Sequence, residues 1–453
     1  MGFQSNRPIG DDPSHQDTCR QAGGHPVPPV RYAKMDARRD TGAGSGQIVI
    51  SIHNEPQPTD LGDVRVANRA VVLRHVRRHA PCSRADIAAR TGLNKATVSS
   101  LVGELIDQRL IRETGLTENR VGRPATMLML DGAPYAALGL QIGADELVAV
   151  AIDLAGNRLL TWRRAFTAGT VSPAETLRAL AALARRAIGR VGAQGRTVLG
   201  LTVGVPGLVD PTGAVPLATA LGWRDVSLAA ELRAALREPD FAVGVDTVAN
   251  LAALAEQRHG GYADGADLVH LTGGTTIGAG VIADGRLLRG GRGFAGQIGH
   301  LCLDPSGPAC DCGTRGCLSA LVGLPAVVRR LLPDAEADGP VTDYLPELAR
   351  IVTLARRDDP AVRAGLTEIG RHLGQGVAVL VDLLNPEVVL LGDHLGTLAP
   401  WLLPAARSTL AARAHAPGAG GCQLAASTLD TAAALGGATA ALATVEAGRP
   451  PTR

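Results

Sequence analysis

Four side chains near the middle of the chain are suited to holding a metal: His300, Cys310, Cys312 and Cys317. One imidazole and three thiolates form the soft tetrahedral donor set that structural Zn²⁺ prefers, and Gly313 and Gly316 permit the sharp loop it requires. Chance seldom packs C-x-C-x4-C behind a histidine at this reach; the alternative is a group of unligated buried cysteines. The chain has 7 cysteines in 453 residues, too few and too unevenly placed for a disulfide framework.

A second constellation, SRADIAARTGLNKATVSSL at residues 83–101, has the spacing of a helix, a tight turn and a second helix. Ser83 can cap the first helix with Asp86 answering three positions on, an acidic form of the capping box. Ile87 and the small Ala88 face inward, Gly92 supplies the positive φ of the turn, and Asn94 caps the second helix. Val98, Leu101, Val102 and Leu105 recur at helical spacing and leave Lys95, Ala96, Ser99 and Ser100 on the outer face. An ordinary helical hairpin shares the apolar period. A helix-turn-helix also needs the small residue, the turn glycine and the inward Val and Leu where they stand, which predicts binding to double-stranded DNA.

The charge distribution supports this. Residues 61–131 hold twelve Arg or Lys against seven acids, so the segment carries +5 while the whole chain carries +2. A local cationic field is what phosphate neutralisation requires. Lys95, Ser99 and Ser100 are the candidates for base or phosphate contact, Ala96 can meet a thymine methyl, and Asn94 and Thr97 complete the set at the helix start. Arg84 and Arg123 are candidates for backbone or minor-groove contact.

The elements around these groups divide the chain. Residues 1–60 are rich in Gly, Pro, Asp, Ser and Gln without periodicity, a composition expected to remain disordered. A helix over about 64–79, the motif, and a hairpin of 110–113 with 125–130 make a winged helix-turn-helix over 61–131. From 132 to 445 strands alternate with helices in two α/β halves, each opening on a glycine-rich hairpin, which predicts a duplicated fold closing on a cleft. Residues 446–453 are expected to form a disordered tail. No apolar run is long enough to span a bilayer and the N-terminus lacks a signal-peptide core, so a soluble cytoplasmic protein is expected.

Taken in order, GVPGLVD (204–210), ANLAALAE (249–256), GGTTIGAGVIADGRLLRG (273–290), GFAGQIGH (293–300), CDCGTRGCL (310–318) and NPEVVLLG (385–392) resemble the ROK family of repressors and sugar kinases. The resemblance implies an actin/hexokinase-like (ribonuclease H-like) body, and the four metal ligands match the family's zinc motif. The front motif followed by Gly-Arg-Pro at 122–124 looks like the transcriptional branch, whose members form dimers or tetramers. On this resemblance the effector pocket comprises Gly207, Ala220, Asp246, Thr247, Val248, Asn250, Gln297, His300 and Ser319.

The sequence departs from the family's kinases where catalysis needs charge. The aligned catalytic base is Val248, which accepts no proton, and Gln141 stands where the first nucleotide loop has Asp. Ala220, Thr247, Val248, Gln297 and Ser319 replace the polar or acidic groups that would bind sugar hydroxyls. Each lost charge-assisted hydrogen bond costs about 1.5–3 kcal/mol, which predicts weak binding of ordinary monosaccharides. The expectation is therefore a DNA-binding regulator, a repressor, with a silent kinase-like domain. That domain either senses a re-tuned effector or serves dimerisation and partner recruitment. The alternative is a carbohydrate kinase with a DNA-binding appendage.

Overall fold

The computed structural model describes residues 61–116, 126–143, 145–262, 266–335, 344–449 and 451. At the front, helix α1 (Leu61–His79) turns Val72, Leu73 and Val76 inward onto helices α2 (Arg84–Thr91) and α3 (Lys95–Asp107). Strands β2 (Ile111–Leu116) and β3 (Thr126–Leu130) pair antiparallel as the expected wing, and a two-residue strand β1 (Cys82–Ser83) adds to β3. This strand was not anticipated: Cys82 is buried opposite Leu128, and the contact ties the entry of α2 to the wing. The wing tip, with Arg120, Arg123 and the Gly-Arg-Pro segment, lies outside the described residues.

Two lobes of the same plan follow. The first has β4 (Tyr135–Ile142), β5 (Glu146–Ile152) and β6 (Arg158–Ala165), helix α4 (Pro173–Gly192) and strand β7 (Thr197–Val205). After these come a ribbon of β8 (Val215–Ala218) and β9 (Trp223–Val226), helix α5 (Leu228–Ala235) and strand β10 (Ala242–Thr247). Its sheet runs β10-β7-β4-β5-β6, antiparallel through β4, β5 and β6 and parallel through β4, β7 and β10. Helix α6 (Val248–His259) then leads into the second lobe, with β11 (Leu268–Thr272), β12 (Gly278–Ala283) and β13 (Arg286–Leu287).

Helices α7 (Leu318–Val322), α8 (Leu324–Leu331), α9 (Leu345–Arg356) and α10 (Pro360–Leu384) precede β14 (Val388–Leu391). Helices α11 (Asp393–Thr397) and α12 (Ala399–Arg413) separate it from β15 (Gln423–Ala426). The sheet order β13-β12-β11-β14-β15 repeats the first lobe position for position, with β14 and β15 parallel to β11. The duplicated α/β architecture anticipated from the glycine hairpins is present.

Helices α13 (Ala432–Ala441) and α14 (Ala443–Glu446) close the fold. Helix α13 lies on β4 so closely that a Cβ on Gly139 would collide with the Ala434 carbonyl, and a Cβ on Gly436 would strike the backbone of Leu251 in α6. Helix α6 in turn lies against β12, where Gly280 meets the Ala249 carbonyl. The lobes are joined through backbone contacts across sheet, helix, helix and sheet. The chain remains packed past residue 446: Glu446 pairs with Arg77 and Arg258, and Gly448 lies against the backbone of Val66. The tail expected to begin at 446 is thus ordered through its first turn, because its acid has two cationic partners.

Gly139→Val should break the seat of α13 and lower stability by about 3 kcal/mol or more, since backbone cannot yield as a side chain can. Gly103→Ala in α3, where a Cβ meets nothing within 4 Å, should raise stability by about 0.5–1 kcal/mol. Denaturant unfolding of the two variants checks both signs.

Candidate DNA-reading face, metal cluster and cleft

The helix-turn-helix is built by local hydrogen bonds. Ser83 Oγ accepts from the Asp86 amide at 3.2 Å while Asp86 Oδ2 accepts from the Ser83 amide at 3.0 Å, closing the capping box. Helix α2 ends on Gly92 at φ 73°, and Asn94 Oδ1 takes the Thr97 amide at 2.7 Å to start α3. Val98, Leu101, Val102 and Leu105 are fully buried, which orients the opposite face of α3 outward. Lys95, Ala96, Ser99 and Ser100 are exposed together on it. No acid occupies the first turn, so the positive end of the helix and Lys95 act in the same sense on a phosphate.

Three expected contacts are already engaged, among them Ser100, whose Oγ accepts from Arg65. Asn94 is occupied as the cap, with Thr97 half-buried above it. Arg84 reaches Glu113 of β2 at 3.0 Å, so it braces α2 against the wing and meets DNA only on leaving that carboxylate. Sequence reasoning missed the clamp on the rear of α3. Arg65 of α1 pairs with Glu104 and reaches Ser100 Oγ at 3.4 Å, Arg69 binds Gln108, and the Tyr135 hydroxyl donates to the Gln108 carbonyl at 2.8 Å. Burial and the neighbouring Arg65 lower the Arg69 pKa. The basic, helically spaced residues of α1 were the available signal.

The metal residues come together as the sequence predicts. One donor atom from each of His300, Cys310, Cys312 and Cys317 lies within 4.8 Å of the others. Cys312 and Cys317 sulfurs are 3.6 Å apart and Cys310 Sγ is 3.7 Å from His300 Nδ1. Thiolates at about 2.3 Å from Zn²⁺ at tetrahedral angles stand about 3.8 Å from one another, so the donors fit a structural zinc ion. Thr314 Oγ1, at 3.1 and 2.9 Å from the Cys312 and Cys317 sulfurs, lowers the Cys312 pKa to about 6; burial pushes Cys310 up to about 11. The loop leads directly into α7, whose Ser319 Oγ accepts from the Ile277 amide at 2.9 Å. The cluster therefore fixes the glycine turn between β11 and β12.

That turn lines an inter-lobe cavity of about 550 Å³. Gln141, Gly207, Ala220, Thr247, Val248, Gln297 and His300 are among the residues that line it. Asp246, Asn250 and Ser319 do not. Asp246 is buried and accepts from Asn250 Nδ2 at 2.7 Å and from Arg289 at 2.8 Å, while Thr247 Oγ1 takes the Asn250 amide to cap α6. Together with Ser319 they support the wall: the Asp246 carboxylate, Thr247 Oγ1, Asn250 Nδ2 and Ser319 Oγ are bonded to neighbours, while Asn250 Oδ1 has no partner among the described residues. The cavity also exposes groups that the sequence reading passed over. His270, inside the apolar strand β11, has no hydrogen-bond partner among the described residues on either ring nitrogen. His394 donates or accepts through Nε2 at the Val322 carbonyl, 2.9 Å away, and leaves Nδ1 unpartnered. Burial lowers both histidines to about 4 and raises Asp393 to about 6. A polar residue interrupting an apolar strand was the only hint of this floor.

A winged helix that presents one open face, joined to a duplicated α/β body around a cleft, defines a DNA-binding transcription regulator with a sugar-kinase-like body. The sequence pattern of the ROK family matches residues 137–444 and that of the MarR family matches 67–119. The chain belongs to the ROK family.

Among curated relatives, the xylose repressor of Bacillus spizizenii is 29% identical over 359 residues, 79% of this chain and 90% of that protein. The DNA-binding transcriptional dual regulator NagC of Escherichia coli K12 is 28% identical over 354 residues, 77% and 85% of the two chains. A solved ROK family transcriptional regulator, a homolog of the E. coli MLC protein, superposes with a TM-score of 0.73 at 25% identity over 85% of this chain and 98% of its own. A ROK family glucokinase from Streptomyces griseus, with glucose and AMPPNP, gives 0.56 at 26% identity over 67% of this chain and 98% of its own.

Lys95→Ala should weaken duplex binding across sequences and reduce the log–log salt slope by about one, as loss of a phosphate contact does. Anisotropy titrations over a salt series measure both. Cys312→Ser should abolish stoichiometric metal and lower the melting temperature of the body; unchanged metal content would reject the ligand set.

Proposed function

We propose that the chain is a transcriptional repressor that holds an operator through α3 and governs that grip from a body that no longer transfers phosphate. The observation that carries this reading is the outer face of α3: Lys95, Ala96, Ser99 and Ser100 exposed together at the cationic end of the helix. One such helix reads only a few base pairs, so a homodimer on a palindromic operator supplies the rest. His300, Cys310, Cys312 and Cys317 hold a structural Zn²⁺ that keeps the cleft wall in shape. The protein works in the cytoplasm, beside the DNA it reads.

Loss of catalysis follows from two positions in the cleft. Val248 is the first residue of α6 and lines the cavity where a base would receive a sugar proton; Gln141 lines it where a carboxylate would organise metal and phosphate. Neither side chain replaces the charge. The cleft is read as a sensor in preference to a ligand-free scaffold because its lining includes His270 and His394, buried rings with nitrogens unpartnered among the described residues, and buried polar groups of this kind cost free energy until something bonds them.

Genomic occupancy mapping should return a short, two-fold symmetric sequence, and the purified full chain should prefer that duplex to random DNA. Absence of any preference would overturn the reading. Incubation with ATP and hexoses should yield no sugar phosphate above the protein-free rate, and measurable turnover would overturn the loss of catalysis.

A further inference from the structure

Helix α6 begins in the cleft and ends beside the DNA-binding domain. Val248, Ala249 and Ala252 of its first turns line the cavity, and its last turn carries Arg258. Twelve residues of α-helix span about 18 Å as one stiff rod, so a displacement at the cavity is delivered to Arg258. Arg258 Nη2 bonds Oε2 of Glu446 in α14. The other oxygen, Oε1, is held by Arg77 Nη1 of α1 at 2.9 Å. One carboxylate thus joins a cleft-lining helix to the DNA-binding domain. All three side chains are mostly buried, at 22–25% exposure, so the pairs are less screened than surface ion pairs. Arg74 of α1 also acts electrostatically on this carboxylate.

Beyond Arg77, the path continues through α1 itself. The same helix grips the recognition helix from behind, Arg65 on Glu104 and Arg69 on Gln108, where α3 ends. A shift of α1 relative to the body therefore changes how α3 is presented. On the cleft side, Glu256, two residues before Arg258, bonds Ser427 in the loop that returns the chain to α13, and His259 Nε2 lies 2.9 Å from Thr439 Oγ1 of α13. The end of α6 is therefore attached to both chain crossings between the lobes.

We propose that Glu446 is the junction through which the cleft governs the winged helix, a positioning residue with Arg258 as its input from α6 and Arg77 as its output to α1. This rests on the reading of the chain as a DNA-binding regulator with a governing body. In the arrangement described, α1 clamps α3 with Lys95, Ala96 and Ser99 exposed, so the contact is assigned to the DNA-competent state.

The test uses the full chain and has two arms. In the first, without DNA, hydrogen exchange is followed in α1 and α3 for wild type, Arg258→Ala, Glu446→Gln and the double variant. Arg258→Ala should speed exchange there by about fivefold, the lower end of typical coupling between sites, and add nothing in the Glu446→Gln background. Arg258→Lys should restore protection, which loss of folding would not allow. Unchanged exchange in α1 and α3, or equal effects of Arg258→Ala in both backgrounds, overturns the junction.

The second arm measures affinity for the operator obtained by occupancy mapping. Arg258→Ala should weaken it about fivefold with Arg258→Lys recovering it, although Arg258 lies on the body and not on the DNA-reading face. Unchanged operator affinity would overturn the junction's control of DNA binding. If wild type prefers no duplex, the regulator reading fails, while the first arm still decides whether the junction exists.

Discussion

The rest of the structure depends on the close approach of backbones at the centre of the body, where β4, α13, α6 and β12 stack through glycines, with Leu251, Ala252 and Ala433 packed beside the contacts. Gly139, Gly436 and Gly280 allow this approach because each stands where a Cβ would enter a neighbouring carbonyl or main chain. This stack places the start of α6 in the cleft, and α14, which follows α13, lies beside α1. The metal cluster acts at the other side of the same cleft, holding α7 and, through Ser319, the turn that faces the start of α6.

The polar groups at this centre divide by whether the protein itself satisfies them. Asp246, Asn250 and Thr247 bond one another and Arg289, so their free energy is spent on fixing the entry of α6. His270 and the Nδ1 of His394 have no such neighbour among the described residues. Both rings are held neutral by burial, so each can offer a donor or an acceptor without the desolvation cost of a charge. The same cleft lining also carries the charged residues Asp145, Glu146, Arg163, Asp393 and Asp430.

Much of this was legible in the residues because the signals were local. The capping of α2 and α3, the turn at Gly92 and the inward face of α3 depend on spacing within one or two turns, and each matches its expected geometry. The metal set was equally plain, since a short loop brings Cys310, Cys312 and Cys317 together whatever surrounds them. What escaped depends on distant partners. Asp246 and Asn250 look like pocket residues in sequence order, but Arg289, far along the chain, occupies the outward oxygen of Asp246. Arg84 looks free until β2 brings Glu113 beside it. The β1 strand, the rear clamp on α3 and the ordering of Glu446 likewise require contacts between segments that no periodicity links.

These non-local contacts also explain how a silenced kinase-like body can serve a DNA-binding head. In a kinase, lobe closure brings reactive groups together, and the motion has no further output. Here the helix that would carry the base is extended by its last turn to an ion pair shared with α1, so the same rotation has a mechanical reader. The Val248 side chain at the start of α6 packs with Leu251, Ala252 and Ala433, so it belongs to the contact between α6 and α13. Backbone glycines transmit displacement, the buried carboxylate of Glu446 holds both ends of the link, and the clamp of Arg65 and Arg69 converts it into the presentation of α3. A fold evolved around closure can therefore keep its motion after its reaction is gone, provided that one charged group joins the moving helix to whatever must respond.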